Sequence, residues 1–167
     1  LRATREIMQS PVTENHFLQM LVSDATEVAI CWNGKVHQFR QTAGSLHFHT
    51  AETDSSGTWS SPITVAFVQL SPHLIVSLAD TAFRGDPMRV QMLPTLNFRD
   101  PLLQHLVMGL YNELHNPGLL GTLFVESAAH TIMLHLLRTY STAGITRRHL
   151  PATCFTPHQM RILNEYI

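Results

Sequence analysis

Thr26-Glu27-Val28-Ala29-Ile30-Cys31-Trp32-Asn33-Gly34-Lys35-Val36-His37-Gln38-Phe39-Arg40-Gln41 is the stretch on which the fold turns. β-Branched and aromatic residues are frequent from Thr26 to Trp32, and Asn33-Gly34 follows at once. Both central positions of a two-residue hairpin turn need positive φ, which asparagine and glycine adopt at little cost. The spacing therefore predicts a β-hairpin with Lys35 to Gln41 as its returning strand. Further along, Ala43-Gly44-Ser45 turns the chain into Leu46-His47-Phe48-His49, and Asp54-Ser55-Ser56-Gly57 reads as another turn. Pro62 to Leu70 reads as a strand buried on much of both faces. Short strands with turns this regular, from about residue 12 to 95, indicate a small antiparallel barrel or sandwich.

The second half changes period. Ser71-Pro72, Asp100-Pro101 and Thr156-Pro157 each place a capping residue before proline. The cap's oxygen satisfies an orphan amide of the first turn, and proline has no amide to satisfy. The first helix is expected to end near Ala82, with a strand around Arg89 to Phe98 after it. The second runs from Pro101 to about His115, with Leu102, Leu103, Leu106, Val107, Leu110 and Leu114 at helical spacing. Asn116-Pro117-Gly118 stops it, and a third helix spans about Leu119 to Tyr140. Its stripe of Leu120, Leu123, Phe124, Ala128, Ile132, Leu136 and Tyr140 is widened by Met133 and Leu137. A helix apolar over more than one face is covered on more than one side.

Charged residues are only 14% of the 167, and 11 histidines help fill the deficit. A surface so poor in charge suggests cover by a partner subunit or another domain. The net charge of -1 carries no electrostatic footprint for nucleic acid. Cys31 and Cys154 lie too far apart in sequence to suggest a disulfide framework, and Cys31 reads as a buried thiol. Two unpaired thiols fit a reducing cytoplasm. No apolar stretch approaches the ~20 residues that span a membrane. The chain opens on Leu1 and closes on Ile167 within a helical pattern, as a fragment would.

Four stretches resemble AraC-type transcription regulators, in the family's order. Gly44-Ser45-Leu46-His47-Phe48 resembles a barrel strand of that family, and Leu70-Ser71-Pro72-His73-Leu74 its exit from the barrel. Arg99-Asp100-Pro101-Leu102-Leu103 through Glu113-Leu114, with Glu126-Ser127-Ala128-Ala129-His130 through Tyr140-Ser141, resembles its helical hairpin. Phe155-Thr156-Pro157-His158-Gln159-Met160-Arg161-Ile162-Leu163 resembles the first helix of its DNA-binding half. The resemblance implies an α+β fold, with a small antiparallel cupin-like β-barrel (residues 1–98) followed by an α-helical hairpin (99–141). A linker (142–155) and the start of a truncated helix-turn-helix domain (156–167) would follow. It further implies a barrel that senses a small-molecule effector, a homodimer formed by the helices, and DNA bound only through the missing C-terminal domain. Thr50-Ala51-Glu52-Thr53 departs from the family's proline and glycine at this point, so no particular effector is carried over.

Trp32 and Trp59 are candidate walls of a ligand pocket, and equally ordinary fillers of the barrel. His47 and His49 are two apart on a strand, so both imidazoles point to one side. With Leu46 and Phe48 filling the barrel, the histidines face out or sit at its rim. For the hairpin, Leu103, Leu106, Leu110, Ile132 and Leu136 are the candidate dimerisation residues. His130 and His135 are five apart, too far round a helix to share an ion. There is no nucleophile motif, phosphate loop or paired carboxylate, so neither an enzyme nor a cofactor is implied, and no metal site is assigned. The competing reading is a cupin-type metalloenzyme using His47, His49 and Glu52, although no distant histidine completes a three-ligand shell.

Overall fold

A computed structural model of the chain describes residues 2–3, 8–10, 14–82 and 90–143. The first strands are β1 (Arg2–Ala3), β2 (Met8–Ser10), β3 (His16–Leu21), β4 (Thr26–Trp32) and β5 (Lys35–Gln41). They continue with β6 (Leu46–His49), β7 (Ser55–Trp59) and β8 (Ile63–Leu70), then helix α1 (Pro72–Ala82). Strand β9 (Thr95–Phe98) and helices α2 (Pro101–His115) and α3 (Gly121–Thr139) complete the order. Cys154, the linker beyond residue 143 and the segment opening at Thr156-Pro157 lie outside the described residues.

The hairpin β4–β5 is in the expected register, from Trp32 opposite Lys35 to Thr26 opposite Gln41. Its turn has the two positive φ angles that Asn33 and Gly34 supply, 48° and 73°. The strands form two antiparallel sheets, one ordered β1-β8-β3-β6-β9 and the other β2-β7-β4-β5. The expected closure into one barrel is not found among the described residues. At residues 42–45 the chain leaves β5 of one sheet and crosses to pair with β3 of the other. Gly44 N donates to Leu21 O at 2.8 Å, and Leu21 N donates to Ser45 O at 3.0 Å. Gly44 turns with φ 80°, and a Cβ there would lie 3.0 Å from Gln104 Nε2, which donates to the Gly44 carbonyl at 2.6 Å. Glycine is favoured here by the positive φ of the turn, while the Gln104 side chain packs over it.

Two hydrophobic cores result. One lies between the sheets and contains Leu21, Ile63 and Val65 of one with Val28, Ile30 and Trp59 of the other. The second lies between the five-stranded sheet and the helices, joining Leu18, Met20, Leu46 and Phe48 to Leu103, Val107, Ile132 and Leu136. The middle of the five-stranded sheet is therefore covered on both faces. This corrects the orientation expected of β6. Leu46 and Phe48 serve the helical core, and the alternation of the strand then turns His47 and His49 inward, between the sheets.

The helical hairpin docks through the residues expected to dimerise. Leu103, Ile132 and Leu136 are 0% exposed, and Leu106 and Leu110 pack against the same core. The other side of the wide stripe is exposed, at Leu102, Leu114, Leu119, Leu120, Leu123 and Phe124. A contact with a second copy through the first set would require the hairpin to leave its sheet. Gly109 of α2 admits the Phe124 ring, whose Cζ lies 3.0 Å from where a Cβ would be. Two boundaries and one burial differ from expectation. The strand read from Arg89 is regular only over Thr95–Phe98, Ser55 to Gly57 belong to β7 rather than to a turn, and Cys31 is half-buried. No helix among the described residues is long and apolar enough to cross a membrane.

Candidate functional site

The pleat of β3 sends Phe17 and Gln19 toward the opposing sheet, while Leu18 and Met20 face the helices. Antiparallel register sets Phe17 opposite His49 and Gln69, and Gln19 opposite His47 and Phe67. Two rows of side chains thus cross this sheet on its inner face. The facing sheet supplies Ile30 opposite Gly57 and Trp32 opposite Ser55. A cleft opens between them. Phe17, Gln19, His49 and Phe67 form one wall, and Ile30, Gly57 and Trp59, with Ser55 and Ser56, form the other. None of these side chains carries a formal charge at neutral pH once His49 is held neutral by burial.

His47 stands behind His49, their rings 6.1 Å apart, and its other side meets Phe39 at 5.4 Å. Burial, then the neighbouring His49, lowers its pKa from 6.5 to about 3. The imidazole is consequently neutral at pH 7. Its Nδ1 accepts the Asn97 N–H at 3.4 Å, which leaves the proton on Nε2. That Nε2 is buried with no partner among the described residues, as are Trp32 Nε1, Trp59 Nε1 and both amide atoms of Gln41. Buried polar groups are nearly always paired, with protein or with ordered water. Burial likewise lowers His16, whose Nδ1 accepts the Ala51 N–H at 2.9 Å. It thereby fastens the turn after β6.

Of the expected ligand residues, Trp59 and His49 line the cleft, His47 lies against His49, and Trp32 packs on the core beneath. Glu52, the third member of the competing metal shell, is exposed in a turn with φ 62°. Among the described residues no group of three or more His, Cys, Asp or Glu side chains could hold a metal ion. Phe17, Gln19, Phe67, Gly57 and Gln41 escaped the sequence reading. For Gly57 a signal was present: an isolated glycine in a strand marks a close approach rather than a turn. For Phe17 and Gln19 the signal was alternation, hidden because the intervening Leu18 and Met20 are needed by the helices. Among the described residues, the cleft's lining offers aromatic and aliphatic surface with Gln19, Ser55, Ser56 and His49 as its polar groups.

No family model matches the chain, and no curated protein matches it. Among solved structures, the crystal structure of the AraC-like transcriptional activator CuxR is similar, with 13% identity and a TM-score of 0.47. The match covers 93% of this chain and 52% of that one, so the chain spans about half the length of that regulator.

Proposed function

We propose that this chain is the sensing half of an AraC-type transcription regulator, and that a small organic effector enters the cleft between its sheets. The observation that carries the reading is the cleft itself, apolar-walled and charge-free, with Phe17, Phe67 and Trp59 in its lining. Pockets of this kind hold small molecules by apolar area and orient them by a few polar groups. The order of the four resembling stretches supplies the regulatory half of the proposal. A homodimer through the exposed face of the hairpin is part of it, supported by Leu114, Leu119, Leu120 and Leu123 standing in solvent. DNA contact falls to a C-terminal helix-turn-helix domain, since a net charge of -1 offers little to neutralise phosphates. An effector acts here only through different affinities for two states of the whole protein.

Thermal melting against a library of small organic molecules and divalent metals tests the reading. A one-site ligand at 100 times its dissociation constant adds about 2.7 kcal/mol. For a domain of this size that is a rise of roughly 5–11 °C. A rise of that size from organic molecules supports sensing. The same rise from a divalent metal, reversed by chelator, sinks it in favour of a metalloprotein.

A further inference from the structure

We infer that the Gln19 side chain reads a planar amide edge in the cleft, the adjoining C=O and N–H of a lactam or a primary carboxamide. The inference rests on the sensing proposal and narrows it to a ligand class. Gln19 lines the cleft and yet is only 6% exposed. On the inner face of its sheet it is bounded by Phe17 and Leu21 along β3, Phe67 across on β8 and His47 across on β6. Three of these four neighbours have no polar side-chain atom. The fourth, His47, takes the Asn97 N–H on Nδ1, and its Nε2 makes no bond to Gln19. The Gln19 amide thus has no hydrogen-bond partner among the described residues. It differs from the amide of Gln41, whose nitrogen and oxygen are both sealed inside the protein, because it borders the cleft.

Folding alone does not account for a glutamine at this position. An amide so enclosed and unpartnered gives up hydrogen bonds that it has in water. Leucine would pack on Phe17, Leu21 and Phe67 without that loss. A carboxamide carries its acceptor and its donors side by side in one plane. The group that satisfies Oε1 and one N–H together is therefore a planar edge with a donor beside an acceptor. A lactam or a primary carboxamide has that edge. An ester, an ether or a carboxylate offers acceptors alone and leaves Oε1 unpaired. Phe17 and Phe67, on two sides of Gln19, give a flat ring bearing such an edge aromatic surface to lie against. Water, which can satisfy each amide atom singly, is the alternative occupant that the test distinguishes.

The test titrates 2-pyridone and N-methyl-2-pyridone against the 167-residue chain by saturation-transfer NMR. The two share a ring and a carbonyl, and the methyl group removes the donor. 2-Pyridone is expected to bind about 5- to 50-fold more tightly. Gln19→Met keeps the length of the side chain and removes its amide, and Gln19→Leu is a second variant of the same kind. In either, with circular dichroism confirming the fold, the two probes should bind within about 2-fold of each other, chiefly because 2-pyridone weakens. If the probes bind the unaltered chain equally, or if the preference survives both substitutions, the ligand class is wrong while the cleft remains the sensing site. If neither probe binds at millimolar concentration, water alone occupies the amide and the inference falls. The melting screen, which needs no lactam, then decides the sensing proposal separately.

Discussion

His135 Nε2 lies 2.7 Å from Asp100 Oδ2, and this contact ties the last turns of α3 to the first residue before α2. A carboxylate only accepts, so the imidazole donates. The same oxygen accepts from Tyr140 Oη at 3.0 Å, while Oδ1 caps α2 through Leu103 N at 3.1 Å. Tyr140 in turn packs at a tilt against Phe98 of β9, their ring centres 4.9 Å apart. One aspartate, placed by the Asp-Pro signal that starts the helix, thus joins strand, helix and helix where the sheet meets the hairpin.

Asp100→Ala should therefore cost more than an ordinary cap. Losing an N-cap costs about 0.5–2 kcal/mol, and each part-buried side-chain bond adds about 0.5–1.5. The expected total of about 2–3 kcal/mol lowers the melting temperature by roughly 4–12 °C. Asp100→Asn retains the capping oxygen and should lose less than half as much. A melting temperature unchanged by Asp100→Ala would show that the junction is held by apolar packing alone.

Acid should destabilise the fold well above the carboxylate range. His47 has a native pKa of about 3 against 6.5 for the free side chain, so between those values the unfolded chain takes up a proton that the native chain refuses. Stability is then complete above pH 6.5 and falls as pH drops, by up to about 1.4 kcal/mol per pH unit for this one group. His16 and His49, also lowered by burial, act in the same direction. Asp100 contributes in a lower window. Burial raises its pKa, but the bonds from His135, Leu103 and Tyr140 outweigh that and hold it below 3.8. Urea titrations at pH 7, 6 and 5 should show a shallower decline for His47→Gln. Equal slopes for the two proteins would mean that His47 is protonated in the native state.

The hairpin turn and the helix starts were legible because each is dictated within a few residues. Asn33-Gly34 has the required φ angles whatever surrounds it, and Asp100-Pro101 caps its own helix. The inward face of β6 was not legible. Leu46-His47-Phe48-His49 alternates cleanly, but alternation says only that two faces differ. Assigning the leucine and phenylalanine to the inter-sheet core follows from a sheet with one covered face. Helices cover the second face, and that information resides in residues 72–140. The same limit applies to α2 and α3, whose stripes are wide enough for two contacts, so spacing alone could not say that Leu103 and Leu136 dock while Leu119 and Leu123 remain outside.

That division of the stripe makes association separable from folding. Leu119→Lys with Leu123→Lys should give a folded monomer, because both leucines are exposed in the single chain. Leu136→Asp should instead unfold the domain, since it removes a side chain that is 0% exposed and leaves a buried charge. Sedimentation velocity at tens of micromolar, paired with melting curves, distinguishes the two outcomes. A wild-type chain that sediments as a monomer removes the dimer from the proposal.

Gln41 offers the sharpest test of whether the interior is occupied. It is the one fully buried position of β5, 0% exposed, and neither amide atom has a partner among the described residues. Leaving a buried polar group unsatisfied costs about 1–3 kcal/mol, whereas an apolar group of the same shape escapes that cost. Methionine matches glutamine in length and lack of branching, so Gln41→Met should raise stability by about 1–2 kcal/mol, seen as a later urea midpoint with an unchanged slope. Gln41→Glu should do the reverse at pH 7, because an unpaired carboxylate is costlier to bury than an amide. If Gln41→Met instead destabilises the chain, the amide is hydrogen-bonded in solution to ordered water or to a retained molecule. Native mass spectra of the wild-type protein then decide between them, since only a retained organic molecule adds a discrete mass that denaturation removes.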